Sequence, residues 1–135
     1  MASQDNAEIV RDQYAATNER DFARAMSHYA EDVQLFVPLG HIRAGTFDGR
    51  PAVGRYFGEF FAMFDKDAHF EIHDVVDLDA SSVLLIATYH ARGRASGADI
   101  HGEVIWLYRL RDGKITYVRF CESRADALNA VGLEE

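Results

Sequence analysis

The chain has 135 residues, 48% of them hydrophobic and 12% aromatic, which is enough for one domain with a packed core. Its formal net charge of −8 argues against a nucleic-acid or anionic-membrane partner, because either wants a basic face. The one cysteine, Cys121, excludes an internal disulfide, and the unbroken apolar runs, such as Val83–Ala87, fall far short of the ~20 residues of a membrane helix. The opening MASQDNAEIV carries neither a basic segment nor an apolar stretch, so no signal peptide and a cytoplasmic location are expected.

In chain order, Asp5 and Glu8 form a capping pair that opens a helix running to about Thr17, with Ala7, Val10 and Tyr14 on one face. Asn18 to Asp21 breaks it. Asp21 then caps a second helix with the apolar face Phe22, Met26 and Tyr29. Val33–Val37 is a short strand stopped by Pro38 and Gly40, and His41–Gly49 is a glycine-rich loop. Pro51 suits the first turn of a third helix carrying Val53, Tyr56, Phe57, Phe60, Phe61 and Phe64.

After Asp65-Lys-Asp67 the pattern becomes strand-like over His69–Leu78, Val83–Arg94, His101–Leu110 and Lys114–Glu122. The last two strands flank Arg111-Asp112-Gly113, and Asp-Gly between apolar runs is a strong hairpin signal. Ser123 caps a closing helix, Arg124–Val131, and Gly132 ends it. Helices grouped before a mostly antiparallel sheet make an α+β fold, expected as a single domain over residues 1–135. The strand His101–Leu110 is bulky on both faces, with Val104, Trp106 and Tyr108 on one and Ile105 and Leu107 on the other. A sheet with helices on one face should be polar on the other, so a homodimer through the outer sheet face is expected.

Four segments carry a family resemblance: Tyr29-Ala-Glu-Asp-Val33, Phe47-Asp-Gly-Arg-Pro-Ala-Val-Gly54, Arg111-Asp-Gly-Lys-Ile115, and Ala125-Asp-Ala-Leu128 with Val131-Gly-Leu133. In their order and spacing the chain resembles the nuclear-transport-factor-2-like superfamily, most closely its SnoaL-like branch. That resemblance implies a cone-shaped curved antiparallel sheet wrapped around the N-terminal helices, of cystatin-like topology, with an apolar pocket inside. The superfamily includes ketosteroid isomerases, polyketide cyclases and limonene-type epoxide hydrolases. Aligned on these segments, the isomerase's base aspartate falls on Val37 and its second acid on Trp106. The aspartate of the cyclases and epoxide hydrolases falls on Phe120. The isomerase's helix tyrosine falls near Gln13, one step from Tyr14. All three family acids are thus replaced by apolar groups, which puts each known reaction in doubt.

If Phe120 points inward, strand alternation sends Val118 and Glu122 inward, and likewise Val104, Trp106 and Tyr108. Tyr14, Val37, Tyr56, Phe57 and Phe60 complete the expected ligand pocket. Glu122 is the candidate acid/base, since a carboxyl group among aromatics has its pKa raised. The competing reading is a solvated strand-end carboxylate, the more usual fate of such residues. His41, in the loop after Pro38, is a second general-base candidate against a solvated loop histidine. Trp106 offers an indole donor. His69, Glu71 and His73 share one strand face, but same-face neighbours on one strand rarely suffice for a metal, and neither a metal nor a cofactor is expected. Three readings follow: a pocket binding a small, largely apolar, oxygen-bearing molecule; a cofactor-independent proton-transfer enzyme using Glu122; or a non-catalytic dimeric interaction module. A closed, dry interior favours the third, an inward Glu122 the second, and a deep pocket without a titratable group the first.

Overall fold

In the computed structural model, residues 6–38, 44–64, 67–93 and 95–132 are described. The elements are α1 (Asn6–Asn18), α2 (Phe22–Ser27), β1 (Tyr29–Val37), β2 (Gly45–Asp48), α3 (Arg50–Ala62), β3 (His69–Asp79), β4 (Ser82–Arg92), β5 (Asp99–Arg111), β6 (Lys114–Cys121) and α4 (Arg124–Ala130). They form one curved, unclosed sheet in the order β2-β1-β6-β5-β4-β3. β3 to β6 make the expected antiparallel meander. β1 adds parallel to β6, and β2 adds antiparallel to β1 at the edge.

Four expectations need correction. Tyr29 opens β1 instead of closing the second helix, because His28 ends α2 in a single turn of backbone bonds to Ala25 and Met26. The segment expected as loop contains β2, whose Phe47 pairs with Leu35 and packs on Tyr56, 4.9 Å between ring centroids. β5 begins at Asp99, two residues before the expected start, because it pairs with β4 as far as Arg92. β6 stops at Cys121, so Glu122 is no longer strand.

The turn chemistry holds. Asp112 (φ 53°) and Gly113 (φ 77°) both take left-handed geometry, the requirement of the two-residue hairpin turn that twists with its strands. Ser123 Oγ accepts the Asp126 N–H at 3.0 Å, and Gly132 (φ 78°) follows the last turn of α4. The expected cap Asp5 lies outside the described residues.

The main core lies between the helices and one sheet face. Asn18, at the end of α1, fixes how the helix meets β3: its side chain donates to Phe70 O and accepts from Phe70 N, both at 2.9 Å. An amide can replace a missing strand partner in this way, which holds Phe70 towards the core. Arg20 adds a 2.6 Å bond to Ala68 O and lays its guanidinium 4.7 Å over the Phe61 ring. The opposite sheet face carries a second, smaller cluster of Leu84, Ile105, Leu107 and Cys121, with Ala127 of α4 buried on it. On this face Leu107 is 0% exposed and Ile105 9%, both in the cluster that includes Ala127 of α4.

Candidate functional site

The interior is built by α1, α3 and the inner faces of β3 to β6. Register pairs Trp106 with Phe120 and Tyr108 with Val118 across β5 and β6. The Trp106 and Phe120 rings stack at 4.6 Å and 6°. Tyr14 comes down from α1 between Phe70, Trp106 and Tyr108, with centroids 5.4, 5.2 and 6.0 Å away. Val37 and Tyr56 are buried in the same core, and Phe57, Phe60 and Val104 are half-buried against it. The Tyr14 and Tyr108 hydroxyls hydrogen-bond to each other. Burial holds the Tyr108 phenol well above its usual range, so the pair stays neutral and internally satisfied.

This aromatic packing closes most of the interior. Behind Phe57 and Phe70 only about 20 Å³ is left, lined also by Gln13, Tyr14, Thr17 and Tyr29. Space of that size suits one water at most. Two buried polar atoms lie in this region, Gln13 Oε1 and Tyr29 Oη, and neither has a hydrogen-bond partner among the described residues. Burial also pushes the Tyr29 phenol far up.

The usable cavity lies at the open end of the sheet, where β6 stops and β5 runs on. It measures about 230 Å³ and is lined by Phe60, Phe70, Tyr89, Val104, Trp106 and Phe120, with Ile100 to Glu103, Ile105 and Cys121 at its rim. Five of these side chains are aromatic, and one of them, Trp106, carries an indole N–H donor. The charged lining group is Glu103, on an exposed stretch of β5. Phe70 and Tyr89 were not among the sequence candidates. Their alternation with exposed neighbours, as in His69-Phe70-Glu71, was the signal that could have found them.

The candidate acid/base is not in this cavity. Glu122 is exposed, because the chain bends out of β6 to start α4, and its backbone N–H donates to Asp126 Oδ2 at 3.1 Å. The inward placement expected from alternation fails because the strand has ended one residue earlier. His41 lies outside the described residues. Cys121 is buried, its thiol is pushed up to about 11 by burial, and it is therefore a poor nucleophile near neutrality.

Other polar clusters are paired off. His69 and His90 stack at 5.1 Å, His90 Nε2 lies 2.8 Å from Glu71 Oε1, and His73 Nε2 lies 2.6 Å from Thr88 Oγ1. Among the described residues no group of three His, Cys, Asp or Glu side chains is placed to hold a metal ion. A larger groove of about 590 Å³ runs on the outer face beside α4, lined by Arg109, Tyr117, Arg119 and Asp126. Its arginines are engaged: Arg109 donates to Ala130 O at 3.1 Å, and Arg119 lies 3.7 Å from Asp126 and 4.9 Å over the Phe36 ring. No helix among the described residues is long and apolar enough to cross a membrane.

The fold has counterparts among known proteins. A family model for the SnoaL-like domain matches residues 10–118, and the chain belongs to that family. An uncharacterised protein of Mycobacterium tuberculosis is 30% identical over 126 residues, covering 93% of each chain. Among solved structures, a nuclear-transport-factor-2-like protein from Burkholderia thailandensis superposes with a TM-score of 0.79 at 22% identity, over 96% of this chain and 98% of that one. A protein of ketosteroid-isomerase-like fold from Catenulispora acidiphila, solved in complex with trimethylamine, superposes with a TM-score of 0.73 at 21% identity, over 93% of each chain.

Proposed function

We propose that the protein binds a small, largely apolar, oxygen-bearing molecule in the cavity beside Trp106. The observation that carries this reading is the composition of that cavity: about 230 Å³, walled by Phe60, Phe70, Tyr89, Trp106 and Phe120. Such walls favour an apolar body, and one indole donor orients one oxygen. A relative of the same fold solved with trimethylamine supports a small-molecule role for this architecture. The proton-transfer alternative draws no support from Glu122, which is exposed.

The test is a thermal-shift screen against ketosteroids, polyketide and anthraquinone intermediates and terpenoid epoxides, with a Val104→Phe variant beside the wild type. Val104 lines the cavity and is half-buried. Phenylalanine there fills the cavity while leaving the deeper packing in place. A compound that stabilises the wild type and not the variant supports the assignment. Equal stabilisation of both proteins contradicts it.

A further inference from the structure

The groove on the outer face of the sheet is larger than the aromatic cavity, and its chemistry is the reverse. Across β5 and β6, Leu107 faces Arg119 and Arg109 faces Tyr117. Strand alternation puts all four on the face that carries α4, since Leu107 belongs to the cluster that includes Ala127. Arg109 and Arg119 are therefore diagonal neighbours on one surface. α4 adds Asp126, Asn129 and Ala130, spaced three and four residues apart and so on one side of the helix. Together these residues wall about 590 Å³, against about 230 Å³ beside Trp106.

Apart from Ala130, every lining residue carries a charged or hydrogen-bonding group. Two guanidiniums, the Tyr117 phenol and the Asn129 amide all have N–H or O–H groups to donate. Asp126 is the one carboxylate in the lining, and both its oxygens are turned to the protein: Oδ2 accepts the Glu122 N–H at 3.1 Å, and Oδ1 lies 3.7 Å from Arg119. The groove is thus positive in a chain whose net charge is −8. Both arginines also keep donors in reserve. Arg109 uses one of its five on Ala130 O, and the approach of Arg119 to Asp126 is longer than a hydrogen bond. Arg119 lies 4.9 Å over the Phe36 ring, and its Nε is buried with no hydrogen-bond partner among the described residues. Packing therefore fixes this guanidinium in place, and its Nη groups are what a ligand would meet. A fixed arginine beside a second, exposed one suits recognition of a carboxylate or a phosphate. The volume exceeds one such group and falls in the range of small-molecule sites. Walls this polar match a polar body.

We propose that the groove between α4 and the outer sheet face binds a hydrophilic organic anion, its carboxylate or phosphate held by Arg109 and Arg119. This is a second site, on the opposite face of the sheet from Trp106, and it does not rest on the apolar ligand. The experiment titrates ¹⁵N-labelled protein with citrate, glucose 6-phosphate and glucose at fixed ionic strength, following the arginine side-chain N–H cross-peaks. The Arg119 Nε–H, shielded from water, is the reporter inside the groove. At least one of the two anions should move it saturably with a millimolar or tighter dissociation constant, and glucose should not. The anion that binds more tightly identifies the head group. Arg109→Gln should raise that constant about tenfold or more. Arg109 is exposed, so this variant keeps the fold even if Arg119→Gln, which removes the packing on Phe36, does not. Arg92→Gln removes an exposed arginine outside the groove, 3.2 Å from Asp99, and should bind as the wild type does. Anion shifts that stay unsaturated at tens of millimolar, glucose binding as well as the anions, or an unchanged Arg109→Gln would each overturn the proposal. So would an equal loss in Arg92→Gln, which would mean diffuse attraction to surface charge.

Discussion

Three buried tyrosines of this fold should not respond alike to the same substitution. Tyr108 is 0% exposed and Tyr14 1%, and their hydroxyls satisfy each other. Tyr29 is 1% exposed, and its hydroxyl has no hydrogen-bond partner among the described residues. Tyr108→Phe deletes one partner and leaves the Tyr14 hydroxyl buried and unpaired, which costs about 1–3 kcal/mol. Tyr14→Phe costs the same for the same reason. Removing both hydroxyls together strands neither, so the double variant should lie within about 1 kcal/mol of the wild type. Tyr29→Phe removes a group that was desolvated without compensation and should be neutral or stabilising by up to about 1 kcal/mol. Equilibrium urea unfolding reads this directly. At a slope of about 2 kcal/mol per molar, the single variants Tyr14→Phe and Tyr108→Phe should lose about 0.5–1.5 M in midpoint. The cycle then closes with a coupling of at least about 1 kcal/mol. Additive losses in the double variant would refute the pairing, and a loss above about 1 kcal/mol in Tyr29→Phe would show that its hydroxyl is satisfied in solution.

Further outcomes follow from the same structure. Alkaline pH should destabilise the fold: Tyr29 and Tyr108 are raised by burial above their ordinary 10.0, so their contribution is complete below pH 10 and declines as pH rises past it. With two groups titrating in the unfolded state alone, the slope approaches about 2.7 kcal/mol per pH unit, which stability curves between pH 9 and 12 would show. Cys121, pushed from 9.0 to about 11, adds to that loss between those two values. In the native protein at pH 8 its thiol should react with Ellman's reagent at least about 100-fold more slowly than in urea. Glu122→Gln should leave stability within about 0.5 kcal/mol of the wild type, as expected for an exposed carboxylate, and thermal melts check it.

Much of the architecture was legible because local rules and tertiary packing agree here. The Asp112-Gly113 turn, the Ser123 cap and the Gly132 stop each need a particular residue type for a particular backbone shape, and each occurs where expected. The meander followed from period-2 alternation anchored on those turns. What could not be read was anything set by partners distant in sequence. β2 is a four-residue edge strand whose pattern is too short to rise above loop composition, and it exists because β1 lies beside it. Tyr29 looked helical from its spacing to Phe22 and Met26, yet it opens a strand that pairs with β6. The inward set Val104, Trp106, Tyr108, Val118 and Phe120 came out on one face because the strands persist through it. Glu122 did not, because alternation was carried one residue past the strand's end. The outer-face bulk of Ile105 and Leu107 was visible, but nothing in the local sequence said that α4 would fold back over it.

The central claim, a ligand held beside Trp106, can be tested on a single resonance. The chain has one tryptophan, so its indole N–H gives one cross-peak in a ¹⁵N-correlated spectrum. Titration with a compound that stabilises the wild type should move that peak saturably, downfield if the indole donates to the ligand's oxygen, with the dissociation constant found by thermal shift. A compound that stabilises the protein while the Trp106 indole peak stays in place would contradict the account.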